Sequence, residues 1–197
     1  MTRSIAALLA LLVVATACGG KAEPFVGYAR NPTPNVADVA LPAVEADGSE
    51  TEFAFRAQDD GILLVYFGYI SCPDVCPTTL ADVRRAVGAL GDAGERTDLA
   101  MITIDTEVDT PEILTGYVRS FIPDAVAVRS VDDDRLRAAA DAFGADYGKE
   151  EVDGEAKVFH TGSLYAVDPI GDLVLTWPFG TSSDDIRGDL ERLLEEA

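Results

Sequence analysis

Histidine is almost absent from this chain: its 197 residues hold one, His160, beside three cysteines. A four-ligand zinc framework would need all four of these side chains, and a disulfide-dense scaffold needs more cysteine than this. A Ser-His-Asp enzyme would have to use His160. Positive charge is scarce too. Lys and Arg number 15 against 35 Asp and Glu, a formal net charge of −20. Nucleic-acid binding rests on a basic footprint that displaces counterions from phosphates, so no nucleic acid is expected as a partner. Nor is there an apolar run of the ~20 residues that a membrane helix needs.

What the chain does have is apolar material, 48% of its residues, enough to fill the core of one domain. At its start, residues 1–17 (MTRSIAALLALLVVATA) place Arg3 before an apolar stretch at 5–15, which is the pattern of a signal peptide. The small residues Ala15, Thr16 and Ala17 lead into Cys18. This resembles the bacterial lipoprotein box, in which cleavage leaves a cysteine that carries acyl chains. The expected division is a signal peptide over 1–17, a flexible tether over 18–36 containing Pro24, Pro32 and Pro34, and a folded domain over 37–197. The resemblance implies a lipid anchor on the extracytoplasmic face of a bacterial cell membrane. An anionic domain is repelled by anionic lipid, so the acyl chains rather than a polar face hold it there. With Cys18 acylated, Cys72 and Cys76 are the remaining thiols, in an oxidising compartment where neighbouring thiols form disulfides.

Along the domain the apolar periodicity alternates between strand and helix. Residues 51–55 alternate as in an edge strand, and 62–69 (ILLVYFGY) form a continuous β-rich run, as in a strand buried on both faces. A helix follows with Leu80, Val83, Val87 and Leu90 on one stripe, then a strand at 99–104. Thr110-Pro111-Glu112 reads as an N-cap, a first helical position and an acidic first turn. Leu114, Tyr117, Val118 and Phe121 give that helix its inner face. A strand at 125–128 and a helix at 132–143 come next, with Asp132–Asp134 as cap and first turn, and then a polar loop over 144–157. A hairpin joins 163–167 to 173–177, and a last helix starts near Ser182 or Ser183. Parallel crossovers followed by an antiparallel hairpin predict a three-layer α/β/α domain with a mixed central sheet and a C-terminal hairpin plus helix, thioredoxin-like by analogy.

The chemistry sits in Cys72-Pro73-Asp74-Val75-Cys76-Pro77, after a buried strand and at a helix start. A helix N-terminus stabilises negative charge, so lowered thiol pKa values are expected there. Three residues separate the cysteines, where thioredoxin-type redox pairs have two. The wider spacing lets two thiolates hold a metal, and soft thiolates suit Cu(I). One imidazole would complete a three-coordinate site, and the chain offers His160, just before the predicted strand at 163–167. A structural disulfide and a loop histidine remain the plain alternatives.

Three stretches carry a resemblance. Residues 68–80 (GYISCPDVCPTTL) look like the signature of the Sco/SenC family. Residues 104–110 (IDTEVDT) resemble the family's Asp-Pro-x-x-Asp-Thr stretch, and Val158-Phe159-His160 with 165–169 (YAVDP) resembles its histidine segment. The resemblance implies a membrane-tethered, thioredoxin-like copper protein. Such proteins deliver copper to the binuclear copper centre of cytochrome c oxidase, or keep that centre's cysteines reduced. Carried over by position, the ligands to Cu(I) or Cu(II) are Cys72, Cys76 and His160, with Asp105 as supporting carboxylate. The partner is then the copper-centre subunit of the oxidase or another copper protein, and the role is that of an assembly factor rather than a turnover enzyme. Two departures stand out. Thr106 replaces the family's Pro, and Phe159 stands where many relatives have Asp, which makes the pocket more apolar. The competing reading is a membrane-anchored thiol-disulfide oxidoreductase that uses Cys72 and Cys76 as a redox pair and forms a disulfide between them. A peroxidase would want Thr at position 69, which is Tyr.

The leader makes a prediction of its own. Mass spectrometry of the native protein should find acylated Cys18 as the first residue. An intact residue 1, or an unmodified start elsewhere, would remove the lipoprotein reading.

Overall fold

The computed structural model describes residues 24–152 and 155–197. The expected signal peptide, Cys18 and the start of the expected tether lie outside the described residues. In chain order the first elements are β1 (Ala40–Val44), β2 (Glu50–Ala54), β3 (Ile62–Gly68), α1 (Val75–Ala89), β4 (Thr97–Thr103) and α2 (Pro111–Phe121). They are followed by β5 (Val126–Val128), α3 (Asp133–Phe143), β6 (Tyr147–Val152), β7 (Glu155–His160), β8 (Leu164–Val167), β9 (Leu173–Trp177) and α4 (Ser183–Glu196).

Strand alternation sorts the core into two layers. In β3 all seven residues are buried. Ile62, Leu64 and Tyr66 face α1, α2 and α4 through Leu80, Leu114 and Leu190. Leu63, Val65 and Phe67 face α3 through Leu136, Ala140 and Phe143. The central sheet runs β2-β1-β5-β4-β3-β8-β9. Strands β3, β4 and β5 are parallel, and β8 lies antiparallel on the free side of β3. The expected mixed sheet between helical layers is therefore present, with its C-terminal hairpin and helix. Caps form where the sequence puts them: Thr110, Asp132 and Ser182 accept the backbone N–H groups of Ile113, Arg135 and Asp185. Helix α3 ends at Gly144 in the left-handed region, φ 66°.

The structure adds one strand to the sequence reading and departs from it in two places, each for a physical reason. β1 is an additional strand with Pro42 at its middle. Proline breaks a ladder when its missing N–H is needed, but here the Pro42 carbonyl accepts the Arg129 N–H and the ladder closes. The loop expected at 144–157 is in fact mostly the hairpin β6–β7, a separate two-stranded sheet. Its strands are too polar to show an apolar period, so cross-strand backbone bonding decides them. The expected tether is packed on the domain over its described part, 24–36. Tyr28 bridges to Thr176, Asn35 bridges to Asp172, and Val36 is fully buried.

Asp189 secures that segment. It is buried in α4 and accepts from the backbone N–H of Val26 at 3.1 Å and of Gly27 at 2.8 Å, and from Trp177 Nε1 at 2.8 Å. Hydrogen bonds to charged groups contribute about 1.5–3 kcal/mol each, and orphaned buried donors are costly. Replacing Asp189 with Ala should lower the unfolding free energy in urea by about 3 kcal/mol and open the bond after Arg30 to trypsin. A loss below about 1 kcal/mol would show that the clamp is marginal.

Candidate metal centre

The site forms where β3 runs out. After Gly68 the chain leaves the sheet through Tyr69, Ile70 and Ser71 and re-enters regular structure at α1. Asp109 shapes this turn. Its Oδ2 accepts the Thr103 hydroxyl at 2.6 Å and the Ile70 N–H at 3.1 Å, which ties the cysteine loop to the end of β4. Arg129 secures the Asp109 segment, donating to the carbonyls of Asp109 and Thr106. Burial raises the Asp109 pKa, opposed by the Thr103 and Ile70 hydrogen bonds.

Cys72 sits in the loop and Cys76 is the second residue of α1. Both thiols are free and buried, 7% and 0% exposed. Cys72 Sγ accepts the Cys76 N–H at 3.3 Å, so the first helical turn folds onto the loop sulfur. His160 arrives from a separate element, as the last residue of β7 rather than in a loop. Its Nε2 stands 3.8 Å from Cys72 Sγ and 3.5 Å from Cys76 Sγ. All three donor atoms lie within 4.8 Å of one another. First-row metal ions with bonds of about 2.0–2.3 Å spread three donors roughly 3.5–4 Å apart, so this spacing fits an ion at the centre.

Protonation fits as well. His160 Nδ1 lies 3.1 Å from the Thr161 carbonyl. A proton on Nδ1 donated to that carbonyl leaves the Nε2 lone pair aimed at the sulfurs. Burial holds the ring below the usual histidine range, against the pull of that carbonyl, which keeps the imidazole neutral and able to ligate. The expectation that the helix start lowers thiol pKa fails at Cys76. Burial pushes its thiol up to about 12, because an inward-facing sulfur loses more hydration than the helix dipole returns.

Cys72 and His160 open onto a cavity of about 580 Å³ lined also by Tyr69, Pro73, Val75, Asp105 and Phe159. Asp105 is nearly buried and lies outside the three-donor group. Its Oδ1 has no hydrogen-bond partner and stands 3.4 Å from Lys149 Nζ, which also pairs with Glu107 at 2.9 Å. Lys149 thus connects the hairpin that carries His160 to the Asp105 loop. Phe159 lies against Gly148 across the hairpin, where a Cβ would come within 2.8 Å of its ring. Tyr69 donates to the Val158 carbonyl at 3.4 Å, and its ring meets His160 edge-on at 5.7 Å. Sequence reasoning missed Asp109, Lys149 and the hairpin. Asp109 stood in a quoted stretch, and its position two residues after Glu107 carried no sign of its inward direction.

A family model described as SCO1/SenC matches residues 46–195. The chain belongs to the SCO1/SenC family. A Stutzerimonas stutzeri protein, named as a candidate copper-binding protein, is 30% identical over 173 residues, 83% of each chain. The apo Sco1 of Thermus thermophilus superposes with a TM-score of 0.72 at 30% identity, over 88% of this chain and 99% of that one. ScoI of Bradyrhizobium japonicum, solved with copper bound, gives 0.63 at 24% identity over 78% and 97% of the two chains and shares the fold. The chain spans about half the length of several other curated relatives. The thioredoxin-like α/β fold expected from the sequence is that of the SCO1/SenC structures.

The buried thiol gives a pH prediction. With the Cys76 pKa raised from 9.0 to about 12, its neutral form supports folding fully below pH 9, and that contribution is lost as pH rises toward 12. Alkylation of the native reduced protein at pH 8 should therefore stop at one adduct, on Cys72. Equal rates at both cysteines, read by peptide mass spectrometry, would contradict the burial argument.

Proposed function

We propose that this domain is a copper carrier that holds the ion between Cys72, Cys76 and His160. Acyl chains on Cys18 keep it at the outer face of the cell membrane, and it serves the copper-centre subunit of cytochrome c oxidase. The observation that carries the reading is the convergence of two sulfurs and one neutral imidazole in a chain of the SCO1/SenC family. Copper here is cargo. Two thiolates suit Cu(I), and the imidazole adds the harder nitrogen that Cu(II) prefers. Binding requires both cysteines to lose their protons, so uptake releases acid and competes with disulfide formation, which leaves no anionic sulfur donor. The cavity beside Cys72 gives a recipient's ligands an approach to the ion. Asp105 supports the site from the cavity wall, outside the ligand set.

A second reading draws on the same pair. Cys72 lines the cavity while Cys76 is enclosed, an arrangement of attacking and resolving thiols. Cys72 would attack a recipient disulfide, releasing one recipient thiolate. Cys76 would then displace the second, leaving a Cys72–Cys76 disulfide and a reduced recipient.

Titration separates the readings. The reduced domain should bind one equivalent of Cu(I) tightly and none after oxidation. Replacing His160 with Ala should weaken Cu(II) binding and its sulfur-to-copper absorption more than Cu(I) binding, while loss of either cysteine damages both. Equal copper affinity in oxidised and reduced protein would overturn the carrier reading. Metal-indifferent disulfide exchange would favour the second.

A further inference from the structure

Tyr66 is an anomaly in the core. It is fully buried, the last inward-facing residue of β3 on the α1 side, and its hydroxyl has no hydrogen-bond partner. Buried hydroxyls are normally paired, because an orphan loses its hydration without return. A phenylalanine would fill the same volume without that loss.

The surroundings of Tyr66 point to a partner that is conditional. Gly68 has no side chain at the place where one would collide with both groups. A Cβ there would stand 2.7 Å from Tyr66 Cε1 and 2.9 Å from Cys76 Sγ, so the ring edge and the sulfur converge on one point. The ring also meets His160 edge-on at 6.0 Å. Two polar groups lie beside the hydroxyl, the Cys76 sulfur and the Thr79 hydroxyl. Thr79 donates to the Val75 carbonyl at 2.9 Å, and its oxygen, although free to accept, takes no hydrogen bond from Tyr66. A neutral thiol is a weak acceptor, whereas a thiolate is a strong one.

We infer that the Tyr66 hydroxyl is a held donor for the Cys76 thiolate, idle in the reduced metal-free protein and engaged when a bound copper ion deprotonates that sulfur. This rests on reading Cys76 as a copper ligand. Tyr66 is then a positioning residue. It lowers the cost of burying the anionic sulfur and withdraws electron density from it, without touching the metal. The same hydroxyl favours the loaded state over the empty one, because loading supplies the acceptor that the empty site lacks.

The test compares wild type with Tyr66→Phe, and with Thr79→Val as a neighbouring control, each in the reduced full-length protein. Tyr66→Phe should unfold in urea at the same or a higher midpoint, since it removes only an unpartnered oxygen. Its Cu(I) affinity should fall about ten-fold, the worth of a hydrogen bond to a charged acceptor. Its sulfur-to-copper(II) absorption should move to longer wavelength, because the thiolate's electrons are no longer stabilised by a donor. Thr79→Val should leave the band in place. Tyr66→Phe with wild-type affinity and an unmoved band overturns the inference while leaving the copper site intact. Loss of stability with an unmoved band assigns Tyr66 to packing and also overturns it. A wild type that binds no copper removes the reading of the site, and this inference with it.

Discussion

Both sulfur donors at the candidate metal centre are positioned relative to one buried strand. β3 is paired on both sides and covered on both faces, so it has no freedom to shift. Its end at Gly68 fixes where the chain must leave the sheet, and the Asp109 carboxyl fixes how, by capturing the Ile70 N–H. The cysteine loop therefore begins from a point that is set by packing and ends in α1, whose buried face Cys76, Leu80 and Val83 lock onto the same core. A metal centre needs its donors held to within a fraction of an ångström, and elements anchored in a close-packed core supply that.

The electrostatics run opposite to the composition. The chain is strongly anionic, yet burial favours the neutral forms of two donors at the site: Cys76 is raised and His160 lowered. Cys76 and His160 are thus uncharged and desolvated until a cation arrives. A cation changes the balance at once, since it makes the thiolate forms favourable and uses the free imidazole lone pair. The result is a site whose charge state would be coupled to its occupancy.

His160 depends on a different device. The hairpin β6–β7 belongs to no larger sheet and is held to the domain by Tyr69 on the Val158 carbonyl, by Lys149 on Asp105 and Glu107, and by the buried Tyr147, whose carbonyl accepts from Arg137. The two cysteines sit on rigid core elements while the imidazole sits on an appended one. The histidine is still tied to the core, because its cross-strand partner Tyr147 is buried in the layer around Phe143.

Much of this was legible in the residues. The continuous apolar run at 62–69, the Thr110-Pro111 and Asp132 helix starts and the 168–172 turn specify their elements through local chemistry, periodicity and capping, which need no distant partner. The Cys72–Cys76 spacing and the single histidine named three candidate donors for the same reason, since donor chemistry resides in side-chain type, and the fold brings these three together. Tertiary structure decided the rest. Pro42 became part of a strand because its carbonyl still accepts the Arg129 N–H while its neighbours pair with β2. A polar stretch became the β6–β7 hairpin because backbone pairing, which leaves no trace in side-chain pattern, outweighed a weak period. The Cys76 thiol moved up rather than down because burial, which depends on everything packed around α1, outweighed the helix dipole that the sequence alone displays. Local chemistry is written residue by residue, whereas desolvation and direction arise only when distant segments close around a point.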